Sequence, residues 1–224
     1  MSFKTEIFAV DHFASEAATR VVGALPGGGS LVLTGGTTFE PLLPQFAAKK
    51  PDWAGVEIAF SDERCVPPDH AASNYGMARR LFLDAIEPGK VHRMKGELEP
   101  PQGAAEYHLS VTPLVERGFD LLLLGMGADA HIGALYPLSP GLGDTAYCAA
   151  VDRPDGLQGL TLTPPAMMSA KKVFLLVSGE VKAATVRRAV TGDEAPETCP
   201  VRLLADHPDV TFLLDEAAAS HLQR

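Results

Sequence analysis

From one end of the chain to the other, short β-rich runs alternate with amphipathic, helix-patterned segments, and this alternation constrains the fold more than any single motif. Glu6-Ile7-Phe8-Ala9-Val10 reads as a first strand. Asp11 follows as a helix cap, ahead of Phe13, Ala17, Val21 and Leu25 at helical spacing. Pro26-Gly27-Gly28-Gly29 interrupts, then Leu31-Val32-Leu33 forms a buried-type strand running into Gly35-Gly36-Thr37-Thr38. Residues 39–48 suit a helix with Pro41 in its first turn. Further strands are expected at 56–60, 121–124, around 146–151, at 173–177 and at 210–214, and helices near 74–84, 104–116 and 180–190.

Strands alternating with helices predict an α/β fold with a mostly parallel sheet flanked by helices. No internal repeat or low-complexity segment divides the chain, and the polar stretch 152–159 is too short for a linker, so one domain over 1–224 is expected.

The 224 residues are enough to bury a sizeable core, and 46% hydrophobic with 21% charged residues is ordinary for a globular protein. A formal net charge of −9 disfavours a polyanionic partner such as DNA while leaving room for a local basic pocket. Cys65, Cys148 and Cys199 lie far apart without C-x-x-C spacing, which fits a reducing compartment better than a disulfide framework. The opening MSFKTEIFAVDHFASEAA lacks the apolar run of a signal peptide, and no run is long enough to span a bilayer. A cytosolic protein without a membrane partner is expected.

In open parallel sheets, ligands collect at the carboxyl ends of strands. Polar loops leave strands in that sense at TGGTT after Leu33, SDER after Phe60 and GMGADAH after Leu124, with Ser178-Gly179 and Lys182 as a fourth after Val177. In the first, Thr37 or Thr38 can cap the next helix, whose free N–H groups suit a phosphate; ordinary capping accounts for the residues equally well. It is not a Walker A loop, because no G-K-[ST] follows. In the second, Arg64 offers a bidentate fork to a phosphate and Asp62 an acceptor to sugar hydroxyls, the bland alternative being a solvated loop.

The stretch FDLLLLGMGADAHIGALYP, 119–137, fits G-x-G-x-x-G/A, the turn of dinucleotide-binding folds. That reading needs an acidic residue ending a second strand about 20 positions on. Asp144 is at that distance but lies in the glycine-rich turn SPGLGD, and Gly133 and Pro137 interrupt the helix that should follow. Proton chemistry suits the turn better. A histidine titrating near neutrality takes a proton from water, and Asp129, two residues from His131, can orient its ring. Backbone N–H groups beside the glycines, Gly127 among them, are candidates to stabilise an oxyanion. The other histidines (His12, His70, His92, His108, His207 and His221) lie in segments with no comparable setting, and no H-x-x-x-H or His/Cys cluster suggests a metal. Lys182 is either a surface lysine or a neutralising group for a phosphate.

At these residues the sequence resembles the 6-phosphogluconolactonase family, within a larger group that includes glucosamine-6-phosphate deaminase. LTGGTTFEP is similar to its S-G-G-S-T-P loop, FSDERCVPPDHAASNYGMARRLFLD to D-E-R-x-V-P…S-N, and FDLLLLGMGADAHIGALYP to D-L-x-L-L-G-x-G-x-D-G-H-x-A-S-L-F-P. GLTLTPPAMMSAKKVFLLVSGEVKA resembles R-I-T-L-T…L-V-x-G-x-x-K-A, and CPVRLL with VTFLLDEAAA suits the family's ending. The resemblance implies a modified Rossmann-like domain that hydrolyses 6-phospho-D-glucono-1,5-lactone in the pentose phosphate pathway without metal or organic cofactor. It implies His131 as general base, Asp129 holding it, and Gly35, Gly36, Thr37, Thr38, Asp62, Arg64, Gly127 and Lys182 around the sugar and phosphate. The protein would act on this small molecule as a monomer or homodimer.

Three departures stand out. Ala130 replaces the glycine before the histidine, Gly133-Ala134 replaces A-S, and Gly159 stands where the family has the arginine of R-I-T-L-T; if that arginine binds substrate, either Arg153 nearby substitutes or affinity is lower. Two rivals stay open. A deaminase is disfavoured by Tyr136, where its segment carries glutamate, and by D-E-R in place of D-E-Y; a noncatalytic sugar-phosphate sensor is disfavoured by the intact Asp129 and His131.

Overall fold

The computed structural model describes residues 3–50 and 52–222, so the outermost ends of the expected 1–224 domain lie outside it. Ten strands and six α-helices are present among these residues. The strands are β1 (Lys4–Phe8), β2 (Ser30–Leu33), β3 (Glu57–Phe60), β4 (Asp62–Arg64), β5 (Lys90–Val91), β6 (Leu121–Leu124), β7 (Cys148–Asp152), β8 (Gln158–Leu162), β9 (Val173–Val177) and β10 (Val210–Asp215). The helices are α1 (Phe13–Ala24), α2 (Leu43–Lys49), α3 (Asn74–Leu81), α4 (Pro100–Arg117), α5 (Pro164–Met168) and α6 (Ala183–Thr191).

Seven strands form one all-parallel sheet in the order β1-β10-β9-β6-β2-β3-β5. Leu121, Leu122, Leu123 and Leu124 are fully buried, as are Leu31, Val32 and Leu33 on the neighbouring strand. Such unbroken apolar runs belong to strands covered on both faces, which is why they show no alternation. The α/β class with a mostly parallel sheet is the one expected. From β2 the chain moves outward through β3 to β5, then returns to place β6 on the other side of β2. The order therefore reverses between β2 and β6, where open α/β sheets form a crevice at their carboxyl edge.

A second sheet was not foreseen. β4, β8 and β7 pair antiparallel, with Asp62 opposite Thr161 and Arg64 opposite Gly159. Asp62–Arg64 of SDER is thus not a loop but a short strand, and the polar stretch 152–159 holds the end of β7, the hairpin turn 153–157 and the start of β8. Ser61 is the joint between the sheets: its N–H donates to the Leu33 carbonyl at 2.7 Å, and its own carbonyl accepts from Leu162 N–H at 2.7 Å.

Other boundaries also differ. The helix expected from residue 39 begins at Leu43, after successive turns in which Phe39 N–H donates to Gly36 O and Leu42 N–H to Phe39 O. Neither threonine caps it, and Asp11 caps no helix but sits in a 3-10 turn before α1. The segment expected as a helix over 180–190 begins with a 3-10 turn, Glu180–Lys182, before α6. No described helix is long and apolar enough to cross a membrane.

Candidate active site

At the β2/β6 reversal a cavity of about 250 Å³ opens among the strand-end loops. It is lined by the 34–39 loop after β2, by Asp62 and Arg64 of β4, and by Gly125, Met126, Gly127 and His131 after β6. Ser178, Val181 and Lys182 after β9 complete one side, and Gly133, Tyr136 and Arg153 the other. Of the residues named from sequence, Gly35, Gly36, Thr37, Thr38, Asp62, Arg64, Gly127, His131 and Lys182 all border this cavity. Asp129 stands behind His131 without lining it.

The 125–131 turn is built around its histidine. Gly127 N–H donates to the His131 carbonyl at 2.9 Å, and Ala130 N–H to the Gly127 carbonyl at 3.1 Å. The ring Nδ1 lies 2.6 Å from Asp129 Oδ1, which also accepts the backbone N–H of His131 at 3.2 Å. This bonding to the histidine pulls the Asp129 carboxyl down to about 2. Gly127 is required here, because a Cβ would sit 2.1 Å from Nδ1 of His131. The N–H groups of Gly127, Ala130 and His131 are all consumed within the turn, so they are not the free oxyanion donors that the glycines suggested.

Ala130, the departure from the family glycine, adopts φ +72, a conformation that disfavours a side chain. It is held there from outside the turn: its carbonyl accepts Val201 N–H at 3.1 Å, and Thr185 Oγ1 donates to the Ala128 carbonyl at 2.6 Å.

Asn74 ties the second wall together and was not singled out as a site residue. Its Nδ2 donates to the Asp62 carbonyl and to Asp62 Oδ2, while its Oδ1 accepts from Arg64 Nη1 at 2.7 Å. Gly35 packs against it, and a Cβ at 35 would fall 1.8 Å from Asn74 Oδ1. Asp62 also accepts from Thr34 and Ser61 hydroxyls on Oδ1, so its buried carboxylate is largely engaged by the protein. Glu63, next in sequence, points away and accepts from Ser73 Oγ and the N–H groups of Arg64, Asn74 and Tyr75. Burial pushes its carboxyl up despite those bonds. No local spacing links Asn74 to Asp62; only the S-N pair of the resembling motif marked it.

The cations are held differently. Arg64 donates from Nη1 to the Ala72 carbonyl and to Asn74, and its Nε is buried without an acceptor. Lys182 Nζ donates to the Met126 carbonyl at 2.8 Å, and burial lowers its pKa. The hydroxyls of Thr38 and Ser178 meet at 3.0 Å, linking the loops after β2 and β9 across the mouth of β6.

His92 qualifies the reading of the remaining histidines. It too has a carboxylate, Glu57 Oε2 at 2.9 Å from Nε2, with Ser110 Oγ 2.9 Å from Nδ1. It is buried away from this cavity, and both ring nitrogens are occupied in pinning α4 to β3. Among the described residues, no cluster of three or more His, Cys, Asp or Glu side chains is arranged to hold a metal ion.

Comparison with known proteins adds the family. Residues 8–213 match the family model described as glucosamine-6-phosphate isomerases/6-phosphogluconolactonase. The chain is 32% identical over 216 residues to a 6-phosphogluconolactonase of Synechocystis, covering 92% of this chain and 90% of that one. It is 35% identical over 210 residues to one from Pseudomonas aeruginosa, covering 87% and 86%. A solved 6-phosphogluconolactonase from Shewanella baltica superposes with a TM-score of 0.84 at 27% identity, over 96% of this chain and 97% of that one. The Trypanosoma cruzi structure has the same fold, with a TM-score of 0.87 at 24% identity over 100% and 99%. The chain belongs to the glucosamine-6-phosphate isomerase/6-phosphogluconolactonase family.

Proposed function

We propose that this chain hydrolyses 6-phospho-D-glucono-1,5-lactone to 6-phosphogluconate, a cytosolic step of the oxidative pentose phosphate pathway, with His131 as general base. The observation that carries this reading is the Asp129–His131 pair at 2.6 Å, set at the edge of a cavity with Arg64 and Lys182 in its wall. The names of the relatives support the same activity.

A carboxyl near 2 is ionised at neutral pH and only accepts, so the hydrogen in the contact sits on Nδ1. Nε2 of the neutral ring is then left with its lone pair for water. As water attacks the lactone carbonyl carbon, Nε2 takes its proton and the carbonyl oxygen becomes an oxyanion. Collapse breaks the bond between that carbon and the ring oxygen, and the imidazolium returns the proton to the departing oxygen. One water is consumed; an acid and a hydroxyl are formed. A δ-lactone is already an activated ester, so positioning plus a base worth about 10²–10⁴-fold suits the task.

In this reading the 35–38 loop, Arg64 and Lys182 orient the sugar phosphate, while Asn74, itself held by Asp62, keeps Arg64 in place. We read the chain as one domain, because both sheets contribute walls to the same cavity. It acts in this reading as a monomer or homodimer.

Freshly generated lactone and glucosamine 6-phosphate, assayed side by side, test the assignment. Acceleration of lactone hydrolysis above the spontaneous rate, without ammonia release from the amino sugar, is expected. Ammonia release without lactone acceleration would overturn it.

A further inference from the structure

Arg153 reaches the cavity from a direction that no strand-end motif marks. It opens the turn between β7 and β8, donating its N–H to the Leu157 carbonyl at 3.0 Å and accepting from Gly156 N–H at 3.1 Å. Pro154-Asp155-Gly156 supplies the turn chemistry, with Gly156 at φ +82. The side chain does not run out into solvent: only 7% of its surface is exposed. It folds back so that its guanidinium carbon lies 5.8 Å from the Tyr136 ring centroid. The same ring lies 4.5 Å from the His131 ring, so base and guanidinium share one aromatic neighbour.

Gly159 makes room for this path. A Cβ at 159 would lie 2.9 Å from Arg153 Cδ and 3.3 Å from Cγ, and 3.2 Å from the Glu63 carbonyl of β4. Position 159 is also where the resembling family carries its arginine, so this chain has a glycine on β8 and an arginine at the end of β7, directed into the same space.

We propose that Arg153 is a substrate-binding residue that takes the phosphate of the sugar lactone, and that Gly159 is the specificity-determining position that admits it. The substrate named here rests on the lactonase reading; the anion-binding role rests on the geometry alone. A guanidinium fork matches phosphate oxygens in a way that a lysine does not. The intramolecular partner of Arg153 is Asp155, 2.8 Å away with 47% of its side chain exposed. The guanidinium meets that carboxylate through Nε at 3.2–3.3 Å and Nη2 at 2.8 Å, so a bound phosphate competes with Asp155 for the same fork, and the carboxylate, nearly half exposed, can turn to water.

The test combines steady-state kinetics on the fresh lactone with calorimetric titration of 6-phosphogluconate. Arg153→Ala is expected to raise KM and weaken 6-phosphogluconate binding by about 10–100-fold, as loss of a charge-assisted hydrogen bond does, with a smaller fall in kcat. Arg153→Lys should recover part of this. Gly159→Val should reproduce the KM rise with Arg153 still present. The double variant Arg153→Ala/Gly159→Arg, in which the space is vacated and an arginine is supplied from β8, should regain binding relative to Arg153→Ala. Unchanged binding in Arg153→Ala, or an equal loss in Asp155→Ala, would overturn the proposal, since either reduces Arg153 to a structural clip. Absent lactone turnover in the wild type with 6-phosphogluconate binding still lost in Arg153→Ala would sink the lactonase reading and leave this proposal standing. A wild type that binds no 6-phosphogluconate would overturn both.

Discussion

Asp129 meets His131 twice, through Nδ1 of the ring at 2.6 Å and through that residue's own backbone N–H at 3.2 Å. One carboxylate therefore fixes both where the histidine's main chain runs and which way its ring faces. The second contact needs no particular side chain, so a two-residue spacing is enough to build an oriented base on a turn.

Asp129→Asn puts this to work as a prediction. An amide that donates to Nδ1 holds the wrong tautomer and leaves Nε2 protonated. The variant should lose about 10²–10⁴-fold in kcat with KM little altered, measured on fresh lactone at neutral pH. A kcat within threefold of wild type would contradict the orienting role.

The same pair has a pH signature in stability. The folded-state value of about 2 lies below the ordinary 3.8, so the native state stabilises the ionised form. That contribution is fully present above 3.8 and fades as pH falls towards about 2. Denaturant melts of wild type and Asp129→Asn should differ at pH 5 and converge as the acid limit is approached. A gap that widens on acidification would reverse the sign assigned here.

Gly127→Ala should disable the base without unfolding the chain. Its Cβ would fall 2.1 Å from His131 Nδ1 and 2.5 Å from Asp129 Oδ1, so the ring must leave its position. A kcat loss of about 10²-fold or more, with circular dichroism unchanged, is expected from misplacing a catalytic group by an ångström.

Ala130 carries a conformational cost at φ +72 in a fully buried position. Ala130→Gly relieves about 1–2 kcal/mol of left-handed strain but gives up a buried methyl and adds unfolded-state entropy, so stability should change by less than about 1 kcal/mol. Ala130→Val, β-branched at a positive φ, should destabilise by about 2 kcal/mol or more. Urea melts of both variants decide this, and equal stabilities would contradict it.

Asn74→Ala should act on binding. It removes the partner of Arg64 Nη1 and of Asp62 Oδ2 together, so KM should rise by about tenfold and stability fall by about 1–3 kcal/mol. A KM equal to wild type would show that Arg64 keeps its place without Asn74.

The sequence announces the parallel sheet because buried strands such as Leu121–Leu124 are apolar at every position and are bounded by glycine. It announces His131 because an acid and glycines crowd one strand end. The antiparallel sheet escaped for the opposite reason: β4 is Asp-Glu-Arg, a poor strand by composition, and owes its form to pairing with β8 almost 100 residues away. Helix α2 starts late because Phe39, fully buried, anchors a series of turns that its helical spacing does not disclose. The motifs pointed at Asn74 and Arg153 without disclosing their contacts, because each acts on residues brought to it by the fold, Asn74 through α3 and Arg153 through a hairpin turn.

His131 carries the proposed chemistry. Its most direct measurement is the initial rate of hydrolysis of freshly generated 6-phosphogluconolactone, spontaneous reaction subtracted, for wild type and His131→Ala. Fast wild-type turnover reduced about 10²–10⁴-fold in the variant, with 6-phosphogluconate still bound, is the predicted result. A His131→Ala variant with undiminished kcat would contradict it.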